Sequence, residues 1–342
     1  MKSVREGILA RALRLCLFAL LVALGGVARA QFDHSIYGTL DLSYGRFEPS
    51  GQVHDSRINS NSLSASFVGV NAKYGLDSGY SMGLNLETFL RFQDLDYGRS
   101  EADKFISRQG FLSLSHADYG LLRVGRLQTY LFETNTRFNA FGNAITFSPS
   151  LRHLFLSGGL ESVQGDVYWD RAASYSTPRL EGLQGSVMYA MGRGRNRGDY
   201  GGANVVFSRG VFAAALSAQR VHIDDGIADE TQETAWQLGA TYNFGLAKVF
   251  GQAWYVDDNG LESKNKGASL GTGIPLGPGS VLAQIAYSRA TGPALLRRHT
   301  TTSLGYVYNF DSVTDFYILG SDDRVRNQTR GLSWAMGVRY QL

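Results

Sequence analysis

The alternation of apolar and polar residues along nearly the whole chain is the feature that most constrains its fold. In Ile36–Tyr44 the even positions hold Ile, Gly, Leu, Leu and Tyr, whereas the odd positions hold Tyr, Thr, Asp and Ser. Side chains of a β-strand point to opposite faces in turn, so such a segment has one apolar and one polar face. We count sixteen such segments and predict an all-β chain: Ile36–Tyr44, Leu63–Tyr74, Ser81–Leu90, Phe105–Ser115, Leu121–Arg126, Val167–Thr177, Leu183–Met191, Ala203–Ser208, Val211–Arg220, Trp236–Phe244, Leu246–Val256, Gly267–Ile274, Val281–Ser288, Thr300–Phe310, Thr314–Ser321 and Leu332–Leu342.

The connections between these segments alternate between short turns, such as residues 116–120, and long polar loops, such as residues 91–104. Short turns on one rim and long loops on the other are typical of a transmembrane barrel, whose strands have about 9–11 residues. A soluble β-sandwich also alternates, but its two sheets must bury their apolar faces against each other, and this loop asymmetry fits it poorly. We therefore predict a sixteen-stranded antiparallel transmembrane β-barrel over residues 31–342.

The first 30 residues are predicted to be a signal peptide. They combine a basic start, an apolar run over residues 15–27 and the small-x-small cleavage pattern Ala28-Arg29-Ala30. Without them the chain keeps 28 of 33 basic and 29 of 30 acidic residues, so the charge balance does not point to nucleic acid. The only cysteine, Cys16, lies in this segment, and the exported chain is expected to contain no thiol.

The alternation stops for 40 residues, 127–166, and this loop is predicted to fold into the barrel lumen. Loops longer than about 12–15 residues are usually functional or disordered, and disordered segments are poor in aromatic residues. This one contains six aromatic residues and therefore needs a surface to pack on: Tyr130, Phe132, Phe138, Phe141, Phe147 and Phe155.

Several motifs resemble those of known proteins: RQGFLSLS at Arg108–Ser115, YGxLxVGR at Tyr119–Arg126, YGxxD at Tyr37–Asp41, Leu86-Glu87, and DxxxxYxxPxxxG at Asp170–Gly182. The chain resembles the general porins of proteobacterial outer membranes, particularly the trimeric type of the beta subdivision. The resemblance implies a sixteen-stranded homotrimeric barrel, passive diffusion of small hydrophilic solutes and ions, and a third external loop that narrows the pore. It also implies contact with outer-membrane lipid and lipopolysaccharide, and with the barrel-assembly machinery during biogenesis.

Two positions depart from this pattern. The chain ends in Leu342 where such porins usually end in phenylalanine, which is part of the assembly signal. It also has Ser64 where an arginine is common in the second strand, which weakens the expectation of an arginine cluster in the pore.

Ion selectivity in such a channel depends on charged groups at its narrowest part. The alternation places Arg123 on the lumen face and Arg126 at the root of the long loop, and it places Glu87 and Arg91 together on the inward face of the third strand. Arg108 shares the parity of apolar residues, and a bulge near Gly110 would turn it inward. The long loop offers these charged partners: Glu133, Arg137, Arg152, Glu161 and Asp166.

Opposed positive and negative walls would then set a mild ion preference. For each arginine taken alone, a solvated rim residue or a partner of a lipopolysaccharide phosphate is an equally good interpretation. The acidic loop around Asp94–Asp103 is interpreted as a solvated rim segment. The basic loop Gly192–Gly198 is interpreted as an outer-rim contact for anionic lipopolysaccharide or an anionic solute. No cofactor or metal site is predicted, because no histidine pair has metal-ligand spacing on one strand face.

Two alternatives remain. A substrate-selective channel would line its path with aromatic side chains, which Phe132, Phe138, Phe141 and Phe147 could supply. An outer-membrane phospholipase would need a serine and a histidine on neighbouring strands. Ser115 and His116 are adjacent in one turn and cannot adopt that geometry, so we do not expect an enzyme.

Overall fold

The computed structural model describes residues 32–76, 79–156, 162–192, 198–224, 230–293 and 295–342. The predicted signal peptide lies outside these residues, as do Glu161 and residues 193–197 of the basic loop. The described part contains two short helices, α1 (Tyr130–Arg137) and α2 (Pro149–Phe155). In these residues no helix has the length and apolar character needed to cross a bilayer.

The described strands are β1 (Phe32–Phe47), β2 (Asp55–Asn59), β3 (Phe67–Gly75), β4 (Ser81–Arg91), β5 (Asp96–Tyr97), β6 (Gly110–His116), β7 (Gly120–Gln128), β8 (Tyr168–Ser176), β9 (Leu183–Ala190), β10 (Tyr200–Arg209), β11 (Phe212–Ile223), β12 (Thr231–Asn243), β13 (Lys248–Asp258), β14 (Ser263–Leu276), β15 (Gly279–Gly292), β16 (Leu295–Asn309), β17 (Thr314–Val325) and β18 (Gly331–Gln341). The short strands β2 and β5 belong to external loops. The other sixteen form one antiparallel ring, which closes where β1 pairs with β18. The predicted sixteen-stranded barrel is therefore confirmed.

The two faces of the barrel differ in the way that the alternation predicts. On β16, Leu304 is 60% exposed on the outside, whereas Thr301 and Ser303 are buried inside. On β17, Ile318 is 54% exposed and Ser321 is buried. Soluble monomers rarely expose contiguous apolar patches beyond a few hundred Å², so an apolar face repeated around the ring is a surface for lipid.

Two strands begin four or five residues later than the alternation predicts. β3 begins at Phe67 instead of Leu63, and β6 begins at Gly110 instead of Phe105. At both places a serine hydroxyl accepts the backbone hydrogen bond: Ser66 Oγ from the N–H of Asp41 at 2.9 Å, and Ser107 Oγ from the N–H of Phe89 at 2.9 Å. Serine side chains compete with the sheet in this way, and alternation alone does not reveal it.

Residues 129–167 connect β7 to β8, and we call them the inserted loop. Thr129 and Ser148 cap its two helices by accepting hydrogen bonds from backbone N–H groups in the first turns. Helix α1 contacts β10, β11 and β12, and α2 contacts β14, β15 and β16. The wall residues that hold the loop face inward, so the described residues of the inserted loop lie inside the barrel.

Candidate functional site in the lumen

Inward-facing polar side chains of the barrel wall hold the inserted loop through hydrogen bonds. The wall residues alternate with lipid-facing apolar residues, so they could be identified from sequence as lumenal, although their partners could not. The bonds are Thr134 Oγ1 with Ser217 Oγ at 2.5 Å, Gln252 Nε2 to the Asn135 carbonyl at 3.0 Å, the Ala140 N–H to Gln284 Oε1 at 3.3 Å, and the Gln164 N–H to Glu233 Oε1 at 2.8 Å.

Asp323 on β17 is the centre of the attachment of α2. Its Oδ1 accepts hydrogen bonds from His299 Nε2 at 2.7 Å and from the Thr301 hydroxyl at 2.5 Å. Its Oδ2 accepts from Arg152 Nη2 on α2 and from the Ser50 N–H, both at 3.0 Å. The carboxylate is 4% exposed, and its four donors come from the loop, an external segment and the wall.

His153 of α2 is fully buried and stacks on His299 with the ring centroids 3.8 Å apart. Because the Thr301 hydroxyl donates to Asp323, it accepts from His153 Nε2, 2.8 Å away. His153 Nδ1 is buried and has no hydrogen-bond partner among the described residues. Burial, together with the positive charges nearby, holds the pKa of His153 well below its usual value, so the ring is neutral.

The wall across the lumen carries Glu87 of β4, which is 4% exposed. It accepts hydrogen bonds from the Tyr37 hydroxyl at 2.5 Å and from Arg108, and it forms an ion pair with Arg108. Gly69 makes this arrangement possible, because a Cβ there would lie 2.8 Å from Cζ of Tyr37 and 3.0 Å from Cγ of Glu87. Arg108 lies before the first residue of β6, so the strand parity that grouped it with apolar residues does not apply to it.

Glu87→Gln is expected to lower the thermal stability of the barrel. Glutamine still accepts from Tyr37 but leaves Arg108 without a counter-charge, at a cost of about 1–3 kcal/mol, since Arg108 keeps some contact with solvent. Thermal unfolding followed by circular dichroism measures the change. Glu133→Gln, on the exposed face of α1, is the matched control, and an equal loss in both variants would contradict the pairing.

Arg123 faces the lumen on β7, as the alternation predicts. Its guanidinium lies 5.7 Å from the centroid of the Phe111 ring. The structure shows no carboxylate paired with Arg123 in the residues it describes. The strand register connects it through Ser113 and Gly83 to Lys73, so these two basic residues lie in one row with small side chains between them.

Arg126 and Asp166 meet at the root of the inserted loop. Arg126 donates to Asp166 Oδ2 at 3.0 Å and to Asp170 Oδ1 at 2.9 Å, while Arg99 of the second external loop contacts Asp166 at 2.7 Å. Burial raises the pKa of Asp166, but the hydrogen bonds and charges of Arg99 and Arg126 outweigh it and lower that pKa. This cluster ties the second external loop to the inserted loop.

The remaining candidate residues lie in different places. Arg91 is buried at the end of β4 and pairs with Asp94 at 2.9 Å and Asp96 at 3.5 Å. Glu133 and Arg137 lie on the exposed face of α1. The structure therefore brings Glu87 together with Arg108 and Arg126 together with Asp166, and it places the other four predicted residues elsewhere.

Between the inserted loop and the β4 wall lies a chamber of about 270 Å³. Arg108 and Phe89 line it from the wall, Phe132 and Thr136 from α1, and Phe155 from α2. Asp166 and Arg99 line it near the external side, whereas Arg126 does not. Of the four phenylalanines that the sequence suggested, only Phe132 lines this chamber, because Phe138, Phe141 and Phe147 are buried in wall contacts.

The sequence interpretation missed one lumenal pair. Arg339 of β18 contacts Asp315 of β17 at 2.6 Å and donates to Ser64 Oγ at 3.0 Å. Arg339 and Asp315 are direct cross-strand partners in consecutive strands and share the polar face. The connection between β17 and β18 sets the register of this hairpin, and that register could have identified the two residues as neighbours.

A closed ring with an apolar outside, a polar inside and a loop folded into its lumen defines a β-barrel membrane channel. The family described as Gram-negative porin matches residues 17–328, and the chain belongs to it. Its place is therefore the outer membrane of a Gram-negative bacterium, and it is a channel and not an enzyme.

Relatives agree with this assignment. The chain is 28% identical over 310 residues to outer membrane porin protein 32 of Delftia acidovorans, covering 86% of this chain and 85% of that protein. The anion-selective porin from Comamonas acidovorans superimposes with a TM-score of 0.75 at 20% identity, covering 91% of this chain and all of that one. The trimer form of OmpT, an outer-membrane protein of Vibrio cholerae, gives a TM-score of 0.68 at 16% identity, with 91% and 100% coverage.

Proposed function

We propose that this porin is a general diffusion channel for small hydrophilic solutes and ions, narrowed by the inserted loop and mildly selective for anions. The observation that carries the proposal is the asymmetry of the lumen. The hydrogen bonds that hold the two helices go to β11, β13, β15, β16 and β17. The open path for solutes therefore lies on the opposite side of the lumen, along the wall that carries Arg108 and Arg123.

The sign of the selectivity follows from which lumenal charges are paired. Arg108 forms an ion pair with Glu87 through Nη1, and Arg339 forms one with Asp315. Arg123 has no such partner in the described part of the chain, whereas Lys73, in the same row, lies opposite Asp33 in the β1–β3 pairing. A lumen with unpaired positive charge attracts anions. The relative from Comamonas acidovorans is described as anion-selective, which supports the same sign.

Arg123→Glu is expected to reduce the anion preference, measured as the reversal potential across a planar bilayer in a KCl gradient. The permeability ratio should fall by roughly two- to fivefold, because a unit charge about 4 Å from an ion in water contributes about 1 kcal/mol. Arg179→Glu, in an exposed turn, is the matched control. An unchanged reversal potential for Arg123→Glu would remove this residue from the selectivity site.

We further propose that residues 1–30 are cleaved on export and that the protein is a homotrimer in contact with lipopolysaccharide. The apolar outer face and the trimeric relative support the oligomer. Analytical ultracentrifugation of the folded protein in detergent tests it, and a monomeric mass would exclude it. Mass spectrometry of the mature protein tests cleavage after Ala30.

A further inference from the structure

Four aromatic rings form a continuous chain along the chamber beside the inserted loop. Phe89 of the wall meets Tyr168 edge-on at 5.7 Å between centroids. Tyr168 lies 6.2 Å from Phe132 on α1, and Phe132 meets Phe155 on α2 edge-on at 5.3 Å. All four rings line the chamber, and they come from β4, α1, α2 and the first residue of β8.

The rest of the lining divides into an apolar and a polar part. Ile145, Leu151 and Val163 extend the apolar surface. The polar groups are the guanidinium groups of Arg99 and Arg108, the amides of Gln128 and Asn143, the hydroxyl of Thr136, and one carboxylate, Asp166. Asp166 is already bound by Arg99 and Arg126, so it leaves little negative charge to face a solute.

Arg108 is placed to receive an anionic group. Its guanidinium stacks on Phe67 at 4.1 Å from the ring centroid, which fixes its plane. The bond to Glu87 uses Nη1, and a guanidinium has five N–H donors in all. The donors on Nη2 therefore remain for a charge-assisted hydrogen bond to a carboxylate in the chamber.

A route for hydrated ions needs no such surface, because aromatic rings offer no hydrogen bonds to replace those of water. Sites for small organic molecules, by contrast, are apolar and aromatic with a few placed polar groups. The chamber is slightly smaller than the ~300–1,000 Å³ of drug-sized sites, which limits the ligand to about one ring and a short substituent.

We propose that the chamber is a binding subsite for small aromatic monocarboxylates, with the ring on the Phe89–Tyr168–Phe132–Phe155 chain and the carboxylate at Arg108. The inference rests on the proposed channel function and adds a solute class to it. Such a subsite retains these solutes in the passage and raises their local concentration.

The test uses the purified full-length porin in planar bilayers. Single-channel conductance in KCl first shows whether the protein forms a pore, independently of the subsite. Benzoate is then added on one side, with acetate and benzyl alcohol as separate arms. We expect benzoate to reduce the KCl current with saturation. Acetate lacks the ring and benzyl alcohol lacks the carboxylate, so each should block only at concentrations about tenfold higher or more, which corresponds to a binding free energy weaker by about 1.4 kcal/mol.

Two variants assign the effect to the aromatic chain. Phe132→Leu should raise the half-blocking benzoate concentration by about two- to tenfold, the range expected for one aromatic contact of ~0.5–1.5 kcal/mol. Phe212→Leu, a lipid-facing residue, is the matched control and should not change it. The inference is overturned if acetate or benzyl alcohol blocks the current as well as benzoate does. It is also overturned if Phe132→Leu leaves the half-blocking benzoate concentration unchanged, even where the KCl conductance is normal.

Discussion

Replacing Asp323 with alanine is expected to release α2 from the barrel wall and to give channels with larger and noisier KCl conductance. The substitution removes the acceptor of four hydrogen bonds and leaves Arg152 without its counter-charge in a site where it is 12% exposed. Removing one partner of a buried ion pair costs about 3–5 kcal/mol, a large part of the ~5–15 kcal/mol by which a folded protein is stable. Single-channel recording measures the conductance, and thermal unfolding measures the loss of stability.

Asp322 provides the matched control, because it is the next residue along β17 and its partners Arg324 and Arg330 are solvent-exposed. Exposed pairs of this kind contribute about 0–1 kcal/mol, so Asp322→Ala should change neither measurement by much. Adding Arg152→Met to Asp323→Ala should recover part of the lost stability, since no unpaired guanidinium is then buried. Wild-type conductance and stability in Asp323→Ala would show that this cluster does not hold the loop.

Acidification is expected to loosen the same attachment through His153. In the attached loop the pKa of His153 lies well below 6.5, because of burial and of the charges of His299, Arg152 and Arg297, which Asp323 only partly offsets. In a released loop the hydrated ring titrates near 6.5. As the pH falls below this value the released state binds the extra proton, so the attached state loses stability on the acid side.

The measurement is single-channel conductance and its noise at several pH values between 7.5 and 5. We expect the wild type to become noisier on the acid side, and His153→Gln to remove this dependence because glutamine does not titrate. His54→Gln, in an exposed external segment, should behave as the wild type. The same acid response in His153→Gln would assign the pH dependence to another group.

Most of the barrel could be predicted from the sequence because a membrane barrel repeats one rule at every strand. The alternation identified all sixteen strands and placed Arg123 and Glu87 on the lumen face. It was wrong where serine hydroxyls replace the ladder, at Ser66 and Ser107. It also grouped Arg108 with apolar residues, although that residue lies outside β6 and strand parity does not apply to it.

The site was less predictable because its contacts join residues that are distant in the chain. His153 and His299 lie on a loop helix and on β16, and no local pattern relates them. The same holds for Phe89 and Tyr168, which the barrel brings together across the root of the inserted loop. Strand parity predicts which face of the barrel a side chain occupies. It does not predict where along the barrel axis a loop contacts the wall.

The two helices of the inserted loop are fixed on one side of the lumen, which separates two properties that could otherwise constrain each other. The helices contact strands in the second half of the chain, whereas Arg108 and Arg123 lie on or beside strands in the first half. Substitutions at these two positions can therefore alter which molecules cross the membrane without detaching the helices. Related channels can therefore differ in the solutes that they pass while their architecture stays the same.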